Sequence, residues 1–288
     1  MKYLALLLIP IMLVTGCIQP EVKDVRLYWG DVTQEYTELK ADVALSSVFP
    51  FLPLKDVRSV IYINGIEIAQ GDAEKIERDR ITLSIKIDNE RLRDMWVSHL
   101  RSNQQSQIVL KIYPKQEFFG IEIGSPIEFK KQLDTDIFNI NFSDVELSIA
   151  GKTVFALRDI KLRQEKVSSL ETTLIMSGIA INNVPAEIKI RKIEYEITVN
   201  NVSAGKGAET LNLVLKPFER EIFESAVNLD NRAIPRWWAE HVKKGERSEI
   251  TLKAMLYVET VGMEVKVKIQ NSKEFTTDVV GELTLSQN

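Results

Sequence analysis

Hydrophobic and polar residues alternate along most of this chain. The alternation is clearest in segments 39–45, 81–87 and 263–269, where every second residue is apolar. Successive side chains of a β-strand point to opposite faces, so each segment is predicted to form a half-buried strand. Asn64-Gly65 lies between two such runs and is typical of a tight hairpin turn. Strands at short intervals, joined by turns of this kind, predict an antiparallel β-sandwich.

Two segments have a helical spacing of apolar residues instead. In the first, side chains at i, i+3, i+4, i+7 and i+8 predict one amphipathic helix, with Asp88 or Asn89 as its N-terminal cap. These side chains belong to Leu92, Met95, Trp96, His99 and Leu100. The second segment predicts an additional helical turn or two. Its apolar residues are Phe218, Ile222, Phe223, Ala226 and Val227.

The chain is also similar to itself at an offset of 142 residues. Without a gap, thirteen residues of 96–136 are identical to their counterparts in 238–278. The pairs are Trp96 and Trp238, His99 and His241, Ser106 and Ser248, Ile108 and Ile250, Leu110 and Leu252, Lys111 and Lys253, Glu117 and Glu259, Gly120 and Gly262, Glu122 and Glu264, Ile127 and Ile269, Lys131 and Lys273, Thr135 and Thr277, and Asp136 and Asp278. Upstream, Asn64 aligns with Asn200 and Leu83 with Leu213, which places a deletion and then an insertion in the second copy. Loops absorb such changes at little thermodynamic cost, so the two copies are predicted to share one fold.

Short motifs in both copies carry a family resemblance. They are Pro53-Leu54, segments 60–65 and 66–69 and Gly71 in the first copy, and Asn182-Asn183-Val184-Pro185, segment 195–201, Pro235-Arg236-Trp237-Trp238, His241, Gly245-Glu246 and Ser248 in the second. Together they resemble the late embryogenesis abundant group 2 domain, also called the water stress and hypersensitive response domain. The Trp-Trp-x-x-His segment is similar to that of prokaryotic, above all archaeal, members. The first copy departs from it, with Met95 at the first tryptophan and Asn103-Gln104 in place of Gly245-Glu246.

The resemblance implies a seven-stranded fibronectin-type sandwich with one helix, and a role in desiccation or envelope stress. With the internal repeat, it leads us to expect an all-β protein of two tandem fibronectin type III-like antiparallel sandwiches. Each sandwich is expected to carry one helix, longer or doubled in the second copy. The expected domain bounds are 24–146 and 147–288.

The N-terminus has the pattern of an export signal. A positive start at Lys2 precedes an apolar run over 4–14, which is too short to span a bilayer. Val14-Thr15-Gly16-Cys17 resembles the lipobox of prokaryotic lipoproteins, so we expect a signal peptide over 1–16, a lipid on Cys17 and a tether over 17–23. The alternatives are a plain secretory signal with an incidental cysteine, or an uncleaved N-terminal anchor.

Composition narrows the function classes. The net charge is −4 for the whole chain, with 37 basic and 41 acidic residues, which does not favour nucleic-acid binding. Loss of Lys2 with the signal would leave 36 − 41 = −5, so the lipid rather than surface charge would attach the protein to a membrane. A single cysteine excludes a disulfide framework and a multi-thiolate zinc site.

The repeated polar residues invite functional hypotheses, each with a structural alternative. His99 and His241 are the only histidines, and neither has a second ligand at metal-binding spacing. The structural interpretation, in which each bonds the backbone of a neighbouring strand, is therefore preferred. Asp136 and Asp278 lack the second carboxylate that glycoside hydrolysis needs, and are expected to fix turns. No catalytic, cofactor-binding or metal site is expected.

An aromatic pair and two glycosylation motifs are the remaining candidate functional residues. The adjacent pair Trp237 and Trp238 is the candidate ligand contact, because only one of two adjacent helical residues is expected to face the core. Asn141 and Asn201 begin matches to the N-glycosylation sequon.

These observations predict a non-enzymatic lipoprotein on the extracytoplasmic face of the cell membrane. Its expected role is protection against desiccation or envelope stress, or a structural one, without a cofactor. The membrane, through Cys17, is the expected partner, together with an envelope protein or glycan, and no nucleic acid. The alternative is a cell-surface binding module for a glycan or a partner protein; an enzyme is the third hypothesis.

Overall fold

The protein is an all-β chain with two helices over the residues that its computed structural model describes. These residues are 22–45, 56–77, 79–118, 121–123, 126–260, 262–282 and 284–285. The predicted signal peptide over 1–16, Cys17 and the motif Pro53-Leu54 lie outside the described residues. The strand pairs whose register is described are antiparallel, as the short intervals and turns predicted.

Eight strands and one helix are described in the first half of the chain. They are β1 (Val22–Val32), β2 (Tyr36–Leu45), β3 (Asp56–Ile63), β4 (Ile66–Ile76), β5 (Arg80–Asp88), α1 (Asn89–Arg101), β6 (Gln105–Phe118), β7 (Ile121–Ile123) and β8 (Ile127–Asp134). Val22 and Lys23, which the sequence assigned to the tether, therefore begin β1. The predicted amphipathic helix is confirmed as α1.

The second half contains eleven described strands, one 3₁₀ helix and one α-helix. They are β9 (Ile140–Asn141), β10 (Val145–Ile149), β11 (Lys152–Val167), β12 (Glu171–Asn182), β13 (Ile188–Val199), β14 (Val202–Leu215), β15 (Arg220–Asp230), the 3₁₀ helix Asn231–Ala233, α2 (Ile234–Lys243), β16 (Arg247–Thr260), β17 (Met263–Thr276), β18 (Gly281–Glu282) and β19 (Thr284–Leu285).

The chain forms two compact units, and each unit is assembled from segments that are not contiguous in the sequence. The first comprises Met1–Asp88, Gln107–Leu133 and Asp278–Asn288, and the second comprises Asn89–Ser106 and Asp134–Thr277. Helix α1 therefore belongs to the same compact unit as α2. The domain bounds 24–146 and 147–288 stay a prediction.

The described strands of the first unit form one ten-stranded sheet. Its order is β18-β1-β2-β5-β4-β3-β6-β8-β19, with β7 paired to β6. Strand β4 pairs with β3 on one side and β5 on the other. The short C-terminal strands β18 and β19 extend the two ends of this order by pairing with β1 and β8.

The second unit has two separate sheets. One has the order β10-β11-β12-β15, with β9 on β11, and the other has the order β14-β13-β16-β17. Alternate residues of their strands are buried, as in Leu174 and Met176 of β12 and Ile193 and Ile197 of β13. Each such side chain contributes about 1.5 to 3 kcal/mol by leaving water.

The helix predicted around Phe218–Val227 is wrong. Most of this segment is β15, which pairs with β12 along its whole length. Its buried side chains, Phe223, Ser225, Val227 and Leu229, follow a period of two. The second copy consequently has no longer or doubled α-helix: α2 has 10 residues where α1 has 13, and only a 3₁₀ turn precedes it.

The predicted hairpin turn at Asn64-Gly65 is confirmed, and the second copy repeats it at Asn200-Asn201. All four residues have positive φ, between 50° and 79°, as a type I′ turn requires. The Asn64 side chain accepts the N–H of Gln107 at 3.0 Å, and Asn200 accepts that of Glu249 at 3.2 Å. Gln107 and Glu249 are again 142 residues apart, so the repeat extends to these hydrogen bonds.

Candidate functional site

The two helices of the second unit enclose a cluster of aromatic side chains. Trp96 of α1 meets Trp237 of α2 edge to face, with 5.0 Å between ring centroids. Phe275 of β17 lies 6.2 Å from Trp237, and Trp238 lies 6.3 Å from it. A cavity of about 20 Å³, roughly the space of one water molecule, lies beside Trp96 and Trp237.

Both tryptophans of the candidate ligand contact are buried. Trp237 is 4% exposed and Trp238 is 2% exposed. The expectation that only one of them faces the core is wrong, because α2 packs against α1 as well as against the sheets. Neither ring offers an open face for a sugar to stack on in this conformation, and a ligand role for the pair stays a prediction.

His241 is buried at the end of α2 and bonded on both ring nitrogens. Its Nδ1 lies 2.8 Å from Ser248 Oγ on β16, and its Nε2 lies 2.7 Å from Thr277 Oγ1. The hydroxyl of Thr277 donates to Glu246 Oε2 at 3.1 Å, and the side-chain amide of Asn200 donates to Ser248 Oγ at 2.8 Å. Five side chains thus form one chain of hydrogen bonds.

His99 repeats this arrangement at the end of α1. Its Nδ1 lies 2.9 Å from Ser106 Oγ, and its Nε2 lies 2.8 Å from Thr135 Oγ1. Gln104 takes the position of Glu246, and its Oε1 accepts the N–H of Ile137 at 2.6 Å. Each member of the Ser-His-Thr triplet is related to its counterpart by the offset of 142 residues.

The hydrogen bonds of the threonines show that Nε2 of each histidine carries a proton. A carboxylate or amide oxygen can only accept, so Thr277 donates to Glu246 and must accept from His241 Nε2–H. The partner of His241 Nδ1 is the hydroxyl of Ser248, which can donate or accept. The same direction holds for Thr135, which donates to Gln104 Oε1 at 3.4 Å.

Burial favours the neutral form of both imidazoles. Desolvation lowers the pKa of His99 from 6.5 to about 4, although Asp134 opposes the shift. Desolvation likewise lowers the pKa of His241 to about 4. A buried imidazole disfavours the added charge, so both rings stay neutral at pH 7.

The arrangement is structural rather than catalytic. His99 is 1% exposed and His241 is not exposed, so no substrate reaches either ring in this conformation. Both rings bond side-chain hydroxyls, and His241 also has a hydrogen bond with the backbone of Arg247 at the start of β16, so the expected bond to a strand backbone holds for His241. Within the described residues, no group of three or more histidine, cysteine or acidic side chains could hold a metal ion.

The hydroxyl partners are residues that sequence reasoning passed over. Ser106, Ser248, Thr135 and Thr277 all belong to the identical pairs of the repeat, beside the two histidines. Serine, histidine and threonine recur at equivalent positions in both copies, which already indicated that the three side chains act together. What could not be read was that residues 36 positions apart meet at one ring.

The remaining candidates lie at the surface. Asp136 Oδ2 is 3.3 Å from Lys273 Nζ, and Asp278 Oδ1 is 3.0 Å from Lys131 Nζ. Each aspartate thus pairs with a lysine. The sequon residues Asn141 and Asn201 are both exposed. No helix of the described residues is long and apolar enough to cross a membrane.

The neighbouring edges of the two sheets meet through side chains. The hydroxyl of Tyr195 on β13 accepts the N–H of Asn228 on β15 at 3.0 Å. The carboxylate of Glu209 on β14 accepts the N–H of Ala226 at 2.7 Å and the hydroxyl of Ser225 at 2.6 Å. These bonds satisfy N–H groups on the free edge of β15, which protects that edge from pairing with other chains.

One family model matches part of the chain. Residues 181–273 match the family described as Late embryogenesis abundant protein, which supports the late embryogenesis abundant part of the resemblance for the second copy. A crystal structure of a protein from Archaeoglobus fulgidus is 22% identical over 42% of this chain and 96% of that protein, with a TM-score of 0.40. The solution structure of AT1g01470 from Arabidopsis thaliana is 15% identical over 49% of this chain and 85% of that protein, with a TM-score of 0.34.

A β-glucuronidase of Bacteroides uniformis is 12% identical over 89% of this chain and 32% of the enzyme, with a TM-score of 0.28. No curated protein matches the chain.

Proposed function

We propose that this protein is a non-enzymatic lipoprotein on the extracytoplasmic face of the membrane that protects other components against desiccation or envelope stress. The observation that carries the stress-protection role is the match of residues 181–273 to the late embryogenesis abundant family. The buried, neutral histidine sites support the non-enzymatic part of the proposal. Both sites are repeated polar clusters, and their histidines are buried.

The protective role predicts a measurable effect on a client protein. Purified protein without residues 1–17 is mixed with an enzyme that aggregates on drying, then dried and rehydrated. We expect more enzyme activity and less light scattering than with an equal mass of an unrelated β-sandwich of similar net charge. Equal protection by the unrelated sandwich would contradict the stress-protection role.

The anchor at Cys17 predicts release upon substitution. In cells, we expect the wild type to stay in the membrane fraction after carbonate and high-salt washing, because two lipid chains attach a protein stably. Cys17→Ala is expected to appear in the soluble extracytoplasmic fraction. Met12→Leu, which keeps both the apolar run and the cysteine, is the matched control. A Cys17→Ala variant that resists both washes would contradict the lipid anchor and leave the protective role untouched.

The second candidate, a cell-surface module that binds a glycan or a partner protein, is not favoured by its original motif. Trp237 and Trp238 are both packed in the aromatic cluster. A binding role would need a different surface.

A further inference from the structure

The second unit contains an open cleft of about 950 Å³ at one end of its sheets. The start of β14, around Ser203 and Gly205, forms one wall, and the end of β15, at Asn228–Asp230, forms another. The turn between β11 and β12 and the 3₁₀ helix before α2 complete the cleft, which lies outside the histidine sites.

Strands β14 and β15 beside this cleft do not pair with each other, and a difference between the two copies explains this. In the first copy, Ser59 pairs with Gly71 across β3 and β4, and its hydroxyl donates to the Gly71 carbonyl at 3.0 Å. There β4 also pairs directly with β5. In the second copy, Tyr195 pairs with Gly207 at the position equivalent to Ser59 and Gly71. Its larger side chain extends to β15, and β14 and β15 belong to separate sheets.

The backbone near the cleft accommodates this tyrosine through glycine. A Cβ at Gly207 would lie 2.6 Å from the Tyr195 hydroxyl. A Cβ at Gly205 would overlap the backbone oxygen of Asn228. The two edges thus touch at Gly205, and the cleft opens beyond that contact.

The charges around the cleft favour an anion. Three cations line it, Lys206, Arg232 and Arg236, against two carboxylates, Glu171 and Asp230. Arg232 is already bound to Asp230 in a bidentate pair, at 2.8 and 3.0 Å. That bond, with a further contribution from the charge of Arg236, holds the pKa of Asp230 below its usual value.

Two of the cations remain available. Lys206 and Arg236 are exposed and make no ion pair within the described residues. The cleft is thus locally positive on a chain whose net charge is −4.

We propose that this cleft binds a polyvalent oxyanion, carrying carboxylate or phosphate groups, with Arg236 and Lys206 as its charge partners. A guanidinium and an ammonium group recognise both kinds of oxyanion, the former by paired hydrogen bonds. Since the first copy pairs its equivalent strands, this binding is a function of the second unit, beyond the protective role proposed above.

Isothermal titration calorimetry at low ionic strength tests the proposal with two probes, tricarballylate and pyrophosphate. We expect saturable binding of at least one probe, and the preferred probe shows whether carboxylate or phosphate is recognised. Arg236→Gln is expected to weaken it at least tenfold, about 1.4 kcal/mol. Ser203→Tyr, which narrows the cleft without changing charge, is expected to weaken it as well.

Arg163→Gln is the matched control, because Arg163 is exposed, forms ion pairs and lies outside the cleft. It is expected to bind as the wild type does. The proposal is overturned if neither probe saturates, or if Arg163→Gln weakens binding as much as Arg236→Gln. Unchanged thermal unfolding of Arg236→Gln would show that lost binding is not lost folding.

Discussion

At the scale of single residues, the histidines show how a functional hypothesis resolves into a structural one. Two conspicuous imidazoles at repeated positions invited metal or acid-base chemistry. Each ring instead uses both nitrogens in bonds to a serine and a threonine, so neither lone pair is available for a metal. A buried polar group must be hydrogen-bonded to be tolerated, and these triplets meet that demand completely.

The exchange of Gln104 for Glu246 is compatible with the same network. Both side chains offer an oxygen to the threonine hydroxyl, so the direction of the hydrogen bonds is kept. The sequence could reveal which residues repeat, yet their contacts depend on how the helix ends and the following strands are placed. Only the fold brings Thr135 to His99.

At the scale of elements, local periodicity predicted the regular strands and α1 but misassigned β15. The segment containing Phe223 and Val227 satisfies both a spacing of four and a spacing of two, so periodicity alone could not decide. Pairing with β12 decided it, since β12 offers a full edge of backbone partners. The same tertiary pairing explains why Trp237 and Trp238 are both buried: α2 has α1 as a second neighbour, which no local pattern encodes.

The contact of β14 with β15 makes a prediction at this scale. Gly205→Ala should lower the free energy of unfolding by about 2 kcal/mol, because the added Cβ overlaps a backbone oxygen that cannot rotate away. Urea unfolding followed by circular dichroism measures the change. Ser203→Ala, an exposed substitution on the same strand, is the control and should remain within about 0.5 kcal/mol of the wild type. Equal stability of Gly205→Ala and the wild type would show that the two edges do not meet there.

At the scale of the whole molecule, the repeat predicted a shared fold but not how the two copies differ. One unit is a single continuous sheet and the other is two sheets. The difference follows from particular residues: Ser59 is small enough for β4 to join β5, whereas Tyr195 lies between their counterparts. The C-terminal strands β18 and β19 add to the first unit, although the linear repeat assigns them to the second. Alignment of a chain with itself compares positions in sequence order, so it cannot show that strands from the C-terminus join the sheet of the first unit.

The two equivalent histidine sites predict how the stability of the molecule depends on pH. Each folded-state pKa of about 4 is below the unfolded value of 6.5, so the unfolded chain binds more protons between these values. Stability is therefore present in full above pH 6.5 and is lost as the pH falls toward 4. At about pH 5.5, one pH unit below the unfolded-state pKa, the free energy of unfolding is lower by about 1.4 kcal/mol per histidine.

Urea unfolding between about pH 7.5 and 5.5, where few carboxylates titrate, measures this loss. His99→Asn removes one of the two titrating histidines. The free energy of unfolding of this variant should therefore change with pH about half as steeply as that of the wild type. The chain has only two histidines, so proton NMR of their ring signals gives an independent reading in the wild type. Both signals should show the neutral form at pH 5.5 and titrate near 4. Signals that titrate near 6.5, or a free energy of unfolding that stays constant over this range, would show that the imidazoles are not held neutral by burial.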